Sequence, residues 1–210
     1  MIEQAQSIGF DLDGVSVVAR GGESILKAAQ RAGHDIPHLF YSDGLRADGN
    51  CRACVVEIEG ERALAPSCCR QPTEGMVVYS NNARARQSQT LVLELLKTDV
   101  GEAKFTGISE LDQWCDRLNV GPSRFASRNQ PMADVSHPAI EVNLEACIQC
   151  TRCLRACREE QANDVIGFAH RGAHVEIVFD LGDPMGESSC VGCGECVQAC
   201  PTGALMPAGG

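Results

Sequence analysis

Eight of the thirteen cysteines in this 210-residue sequence fall into two runs with the same spacing. Both runs read Cys-x2-Cys-x2-Cys-x3-Cys, and Pro201 follows the second. The first run comprises Cys147, Cys150, Cys153 and Cys157, and the second comprises Cys190, Cys193, Cys196 and Cys200. Three such thiolates on a loop can hold three corners of a [4Fe–4S] cube, and the fourth lies about one helical turn further on and points away. The spacing therefore predicts thiolate ligation of iron–sulfur clusters.

The doubled run is the pattern of bacterial two-cluster ferredoxins, in which the fourth cysteine of each run ligates the other cluster. We therefore expect crossed ligation. One [4Fe–4S] cluster is assigned to Cys147, Cys150, Cys153 and Cys200, and the other to Cys190, Cys193, Cys196 and Cys157. Arg158 stands where the pattern has a proline after the first run. The alternatives are disulfides or structural zinc, but zinc sites favour two Cys-x2-Cys pairs over two runs of four.

Composition and charge narrow the possible partners and compartment. The net charge is −10 and the pI about 4.9, which disfavours nucleic acid and anionic membranes as partners. No apolar stretch approaches the length of a transmembrane helix, and the first residues lack the basic and apolar regions of a secretory signal. We therefore expect a cytoplasmic protein whose thiols serve to bind metal.

Turn residues and hydrophobic periodicity predict the N-terminal elements. A hairpin over 7–19 turns at Asp13-Gly14, and a helix capped by Glu23 or Ser24 ends at Ala32, before Gly33. Strands are predicted at 55–59, 62–66 and 76–79. Two strands, a helix and further strands make a β-grasp, the fold of plant-type [2Fe–2S] ferredoxins.

With the elements predicted for the rest of the chain, the fold class is predicted to be α+β. Helices are predicted at 82–98 and 110–118, a linker at 119–138, a hairpin at 165–169 and 174–179, and a closing strand at 204–206. The predicted domains are a β-grasp [2Fe–2S]-type domain (1–81), a helical connector and linker (82–138) and a two-[4Fe–4S] bacterial-ferredoxin-like domain (139–210).

The N-terminal domain carries its own cysteine motif. Cys51-x2-Cys54-x13-Cys68 supplies three of the four thiolates of a [2Fe–2S] site of the respiratory-complex kind. The sequence around this motif resembles the N-terminal iron–sulfur region of the molybdenum- or tungsten-containing alpha subunit of NAD-dependent formate dehydrogenases. The resemblance runs from His38-Leu-Phe-Tyr to Asp48-Gly-Asn-Cys51-Arg-Ala-Cys54. Residues 157–167, 183–188 and 200–207 also resemble that region. More distantly, the chain is similar to the electron-transfer subunits of NAD-reducing hydrogenase and respiratory complex I.

The sequence departs from that family at three places. The family has a cysteine at the position of Phe40, so the resemblance implies that the first [2Fe–2S] ligand is missing. It has one cysteine where this chain has Cys68 followed by Cys69. Its further cluster, ligated by one histidine and three cysteines after the helix at 82–98, has no counterpart here. The large domain that holds the pterin and formate is also absent from these residues, so we expect no substrate-converting centre in this chain.

Three interpretations of the N-terminal site remain open. The thiolates that would take part are Cys51, Cys54, Cys68 and Cys69. Cys69 or another donor completes an unusual [2Fe–2S] cluster, or the β-grasp is vestigial and holds no metal, or zinc binds all four thiolates. Cys115, beside Trp114, is interpreted as a small buried hydrophobic residue, and His38 is the histidine nearest the missing ligand.

The resemblance implies an electron-transfer subunit with two [4Fe–4S] clusters and possibly one [2Fe–2S] cluster. Its partners would be a metal-pterin catalytic subunit and a flavin subunit that binds NAD, in a hetero-oligomer of the formate dehydrogenase type. Outer-sphere electron transfer needs no catalytic acid, base or nucleophile, so no catalytic residues are expected. The alternative function is a non-catalytic iron–sulfur redox sensor, or a regulatory or assembly protein.

Overall fold

The computed structural model describes residues 7–100, 109–129 and 131–209. Residues 1–6 and 210 of the predicted terminal domains, and residues 101–108 and 130 of the predicted connector and linker, lie outside the described residues. The chain divides into two compact units, one of Met1–Tyr41 with Ala47–Val92 and the other of Ser42–Arg46 with Leu93–Gly210. The three domain ranges drawn from the sequence stay a prediction beside this division.

The first unit is built on a five-stranded sheet. Its strands are β1 (Ser7–Leu12), β2 (Val15–Arg20), β3 (Val55–Ile58), β4 (Ala65–Pro66) and β5 (Val77–Tyr79), in the spatial order β2-β1-β5-β3-β4. β1 pairs antiparallel with β2 and parallel with β5, and β3 runs antiparallel to both β4 and β5. With helix α1 (Ile25–Arg31) this is the expected β-grasp arrangement, although β4 is shorter than the strand predicted at 62–66.

Local chemistry explains the start of the first unit. Asp13 and Gly14 both have positive φ, 53° and 85°, as a tight hairpin turn requires, and the Gly14 N–H donates to Asp11 Oδ1 at 2.8 Å. Ser24 caps α1, because its side chain accepts the Lys27 N–H at 3.3 Å. The apolar faces of β1, β2 and α1 then meet in one core. Buried residues of that core include Phe10, Leu12, Val17, Ala19, Ile25, Leu26, Ala28 and Ala29.

The second unit consists of short helices and two small antiparallel sheets. Helix α2 (Ala83–Leu96) ends in this unit, and α3 (Glu110–Arg117), α4 (Arg152–Arg155) and α5 (Glu195–Ala199) follow; α4 continues as a π-helical segment, Ala156–Glu160. One sheet pairs β6 (Ile140–Val142) with β9 (Leu205–Pro207), and the other pairs β7 (Ile166–Ala169) with β8 (Glu176–Phe179). Each cysteine run thus leads from a loop into one of the two short helices α4 and α5.

Cysteines form part of the core of the second unit. Cys147, Cys153, Cys157 and Cys196 are buried and pack with the aliphatic side chains of the two small sheets. Two charged side chains are also almost fully buried there, Arg152 at 6% exposed and Arg155 at 2%. Within the described ranges, every helix is too short or too polar to cross a lipid bilayer.

Candidate iron–sulfur cluster sites

The loop of the first cysteine run is shaped by two residues in the left-handed region. Gln149 has φ 56° and Thr151 has φ 63°, which is uncommon for residues other than glycine. The resulting bend turns the backbone toward sulfur, and the Gln149 N–H donates to Cys147 Sγ at 3.4 Å. A hydrogen bond to a sulfur ligand stabilises added negative charge on it, which is one way a protein sets the potential of a cluster.

The second run repeats this geometry at the matching positions. Gly192 and Gly194 have φ 68° and 82°, and the Gly192 N–H donates to Cys190 Sγ at 3.4 Å. Glycine has no Cβ, so the backbone can adopt this conformation without strain and approach the sulfur, as it does at Gly192. The same conformation at Gln149 was not predicted, because a residue with a side chain seldom adopts it.

Four thiols from the two runs line one apolar cavity. The lining includes Cys147, Cys150 and Cys153 from the first run, together with Cys200 from the end of the second. Aliphatic side chains complete the wall of this cavity. Those side chains are Leu144, Ile148, Ile177, Ala204 and Leu205. The fold thus brings Cys200 to the first run, as crossed ligation requires.

Electrostatics in this cavity favour neutral thiols unless a cation is bound. Burial raises the pKa of Cys147 to about 11 and that of Cys150 to about 12, and repulsion by the neighbouring Cys200 thiolate acts in the same direction. Burial also raises the pKa of Cys153 well above its ordinary value. Because iron binds thiolate, cluster binding must release these protons and compensate the buried charge. The donor set therefore fits an iron–sulfur cluster.

The other four thiols show the complementary arrangement. Burial and, to a smaller extent, repulsion by the Cys190, Cys193 and Cys157 thiolates together raise the pKa of Cys196 to about 12. Cys157 is therefore an electrostatic neighbour of the second run, although it ends the first. Cys193 is exposed and Cys190 half-buried, whereas Cys157 and Cys196 are buried. This site consequently reaches the surface at Cys193, whereas the thiols of the first group are buried or, at Cys200, half-buried.

The eight thiols form two groups, each drawn from both runs. The assignment of ligands to each cluster stays a prediction. Across the described ranges, no three histidine, cysteine, aspartate or glutamate side chains are placed together so that they could hold one metal ion.

Among the N-terminal cysteines, Cys54 is a neighbour of both Cys68 and Cys51. A hydrogen bond from the Cys68 thiol lowers the pKa of Cys54 to about 6, and the same bond raises the pKa of Cys68 far above its usual range. Cys51 lies beside the backbone N–H groups of Ala53, Phe40 and Leu39, which oppose the increase in its pKa that burial causes. The position of the missing cysteine, Phe40, is therefore next to Cys51.

Cys69 lies on the side of Cys68. A turn at residues 67–69 brings the two adjacent sulfurs to 3.6 Å, so they do not point to opposite sides of an extended chain. Cys69 Sγ also faces Gly49, where an added Cβ would lie only 2.9 Å from it. The loop therefore bends, as ligation by Cys69 would require, and it places Cys69 between Cys68 and Gly49.

His38 and Cys115 occupy structural positions. His38 Nδ1 is 2.8 Å from Ile36 O and its Nε2 is 3.3 Å from Gln30 Nε2, so both ring nitrogens have protein partners. Cys115 is buried at 3% exposed, and burial raises its pKa to about 11. Sequence reasoning overlooked Arg152, which lies between Cys150 and Cys153; the signal was the glutamate, Glu195, at the matching position of the second run.

Comparison with known proteins agrees with both domains. The family model "2Fe-2S iron-sulfur cluster binding domain" matches residues 5–83, and "4Fe-4S dicluster domain" matches residues 146–204. The chain is 33% identical over 206 residues to an NADH-quinone oxidoreductase subunit of Rhizobium meliloti, and 35% identical over 209 residues to the HndD subunit of the NADP-reducing hydrogenase of Solidesulfovibrio fructosivorans. These alignments cover 95% and 93% of this chain, but only 24% and 35% of the relatives.

Two further similarities point the same way. A putative formate dehydrogenase of Staphylococcus haemolyticus is 28% identical over 201 residues, which is 93% of this chain and 20% of that protein. A chain in a crystal structure of NAD+-reducing [NiFe]-hydrogenase superposes with a TM-score of 0.88 at 26% identity, covering 97% of this chain and 88% of that one. The chain therefore spans about a quarter to a third of the first two curated relatives. It is an iron–sulfur electron-transfer module homologous to the iron–sulfur regions of NADH-quinone oxidoreductase, NAD-linked hydrogenase and formate dehydrogenase proteins.

Proposed function

We propose that this module carries electrons one at a time through two [4Fe–4S] clusters held by crossed ligation. The observation that carries the proposal is the cavity in which Cys200 joins Cys147, Cys150 and Cys153. Four thiolates enclosed by aliphatic side chains are the ligand set of a [4Fe–4S] cluster. When bound, such clusters supply one-electron redox centres.

The residues of this chain hold and insulate the clusters. The aliphatic wall of the first cavity excludes water, and the Gln149 and Gly192 N–H groups donate to the sulfurs of Cys147 and Cys190. These contacts tune potentials and need no proton transfer, so electron transfer can proceed without a catalytic acid or base.

We further propose that the partners are a metal-pterin catalytic subunit and a flavin subunit that binds NAD, in a cytoplasmic formate dehydrogenase-type hetero-oligomer. The resemblance of the cysteine loops to formate dehydrogenase and the similarity to the Staphylococcus haemolyticus protein support this choice. Two of the other relatives are named as subunits, which supports assembly with further chains. None of the thirteen cysteines, all of which lie in the described ranges, forms a disulfide, which suits a reducing compartment. Neither the described residues nor the relatives favour a regulatory protein.

Metal content tests the cluster proposal. Anaerobically purified protein should contain about eight irons and as many sulfides per chain, and it should be reduced reversibly in single-electron steps. Zinc is measured in the same samples. Fewer than about six irons with stoichiometric zinc would contradict two [4Fe–4S] clusters.

A separate experiment tests the partners. The tagged chain is isolated from its native cells without oxygen, and the associated proteins are identified by mass spectrometry and by their pterin and flavin content. Formate should then reduce the clusters in the complex, and so should NADH. If NADH or hydrogen reduces the clusters but formate does not, the complex is of another kind.

A further inference from the structure

The two cysteine runs carry opposite charges at the same position. Arg152 precedes the third cysteine of the first run, Cys153, and Glu195 precedes the third cysteine of the second run, Cys196. Arg152 is 6% exposed, whereas Glu195 is half-buried. The first site therefore contains a buried cation that the repeat of the motif does not reproduce in the second.

The contacts of Arg152 hold its charge close to the first site. Its Nη1 donates to Glu110 Oε2 at 2.8 Å and its Nη2 to Ser42 Oγ at 3.4 Å. The Arg152 backbone N–H donates to the sulfur of Cys150. The N–H of its partner Glu110 donates to the carbonyl oxygen of Pro201 at 2.7 Å, next to Cys200. The buried guanidinium is therefore held beside the ligands of the first site.

The paired carboxylate does not cancel the field of this guanidinium. The Arg152 side chain is 7% exposed, whereas the Glu110 side chain is 37% exposed. Water screens the better exposed charge more strongly, because interactions between buried charges pass through a medium of lower effective dielectric constant. The positive charge of Arg152 should therefore dominate at Cys150.

We propose that Arg152 is a positioning residue that raises the reduction potential of the cluster held by Cys147, Cys150, Cys153 and Cys200. The inference rests on the proposed function, since it requires that cluster. Reduction adds one negative charge to the cluster, and a fixed buried cation stabilises that charge. Glu110 moderates the effect, so the Arg152–Glu110 pair sets how readily the first cluster accepts an electron.

The test is an anaerobic potentiometric titration of the full-length, cluster-loaded protein, followed by electron paramagnetic resonance. In Arg152→Gln, one of the two midpoints should fall, so that the reduced-to-oxidised ratio at the wild-type midpoint drops about tenfold, which is ~59 mV for one electron. Glu110→Gln should shift the same midpoint upward. Arg152→Lys keeps the charge and should restore most of the wild-type value.

Arg124→Gln is the matched control, because Arg124 is also paired with a glutamate, Glu94, but its side chain is 73% exposed. It should leave both midpoints unchanged. Unchanged midpoints in both Arg152→Gln and Glu110→Gln, or shifts of the same sign in the two, would overturn the inference. If Arg152→Gln loses iron, the sign of the Glu110→Gln shift alone decides. Wild-type protein without two reversible [4Fe–4S] midpoints would instead overturn the proposed function.

Discussion

Replacing Cys200 by alanine should remove the cluster of the first cysteine run, although Cys200 follows the second run in sequence. The reason is the cavity that Cys200 shares with Cys147, Cys150 and Cys153. Iron should fall from about eight to about four per chain. Iron and sulfide analysis of anaerobically purified protein gives the measurement, and Cys115→Ala, a buried thiol outside both sites, is the control.

Double variants make the pairing of ligands visible in the iron count alone. Cys200→Ala combined with Cys147→Ala removes two ligands of one cluster, so about four irons should remain. Cys200→Ala combined with Cys190→Ala damages both clusters and should leave almost none. Ligation within each run would reverse the two results, and that reversal would refute the reasoning.

Cys200→Ala should also lower the free energy of unfolding, because the cluster links two distant residues and closes the loop of chain between them. A crosslink from Cys147 to Cys200 closes a loop of about 54 residues, for which the chain-entropy relation gives about 4 kcal/mol. This is an upper value, because β9 still pairs with β6, with Leu205 opposite Val142, and partly closes the same loop. We therefore expect a loss of about 2–4 kcal/mol in the free energy of unfolding. Anaerobic thermal unfolding of the wild type and of Cys200→Ala measures this loss. An unchanged unfolding midpoint would contradict the crosslink between Cys147 and Cys200.

Two further predictions concern packing around the sites. Gly186→Ala should destabilise the second unit by about 1–3 kcal/mol or more, because the added Cβ would lie 2.4 Å from the backbone oxygen of Ser136. Gly121→Ala is the control and should not destabilise it, because an added Cβ there meets open space. Equal melting temperatures of the two variants would contradict the clash. Cys115 in folded protein at pH 8 should resist alkylation, since burial raises its pKa to about 11, whereas rapid labelling before unfolding would show that the site opens.

Local signals in the sequence were enough to predict most of the fold. The Asp13-Gly14 turn, the Ser24 cap and the doubled cysteine run each depend on residues close together in the chain, and the structure has the corresponding hairpin, helix and loops. Even Cys200 could be predicted to meet the first run, because a known cluster pattern links the two runs. Such features need no knowledge of the three-dimensional neighbours.

Features set by distant parts of the chain were not predicted. The segment Ser42–Arg46 lies between two stretches of the first unit in sequence, but Leu45 packs with Ala156 and Ala199 of the second unit. Nothing in a short polar segment reveals that destination. Arg155 is likewise buried because its guanidinium donates to Thr151 Oγ1 and to the carbonyl oxygens of Arg46 and Cys150, and average propensities place arginine at the surface.

The positions of the N-terminal cysteines bear on whether this domain holds a [2Fe–2S] cluster. A [2Fe–2S] cluster takes four thiolates, two on each iron. Cys54 and Cys68 are hydrogen-bonded sulfurs, so they suit one iron. The other iron would need a partner for Cys51, which lies beside the Phe40 backbone, whereas Cys69 is exposed and contacts Cys68. We predict that the wild-type β-grasp folds from its hydrophobic core but holds this cluster weakly or not at all.

Phe40→Cys should then create or strengthen the cluster, because the backbone at this position already lies beside Cys51. The reduced variant should gain a [2Fe–2S] resonance approaching one spin and about two more irons per chain. Tyr41→Cys is the matched control, since Tyr41 packs against the hydrophobic core of the first unit and a thiol there should add no signal. A full-occupancy [2Fe–2S] signal in the wild type that disappears in Cys69→Ser would show that Cys69 is the replacement ligand. In that case the N-terminal domain itself carries electrons. Without a cluster it cannot carry electrons, and its role is limited to binding a partner.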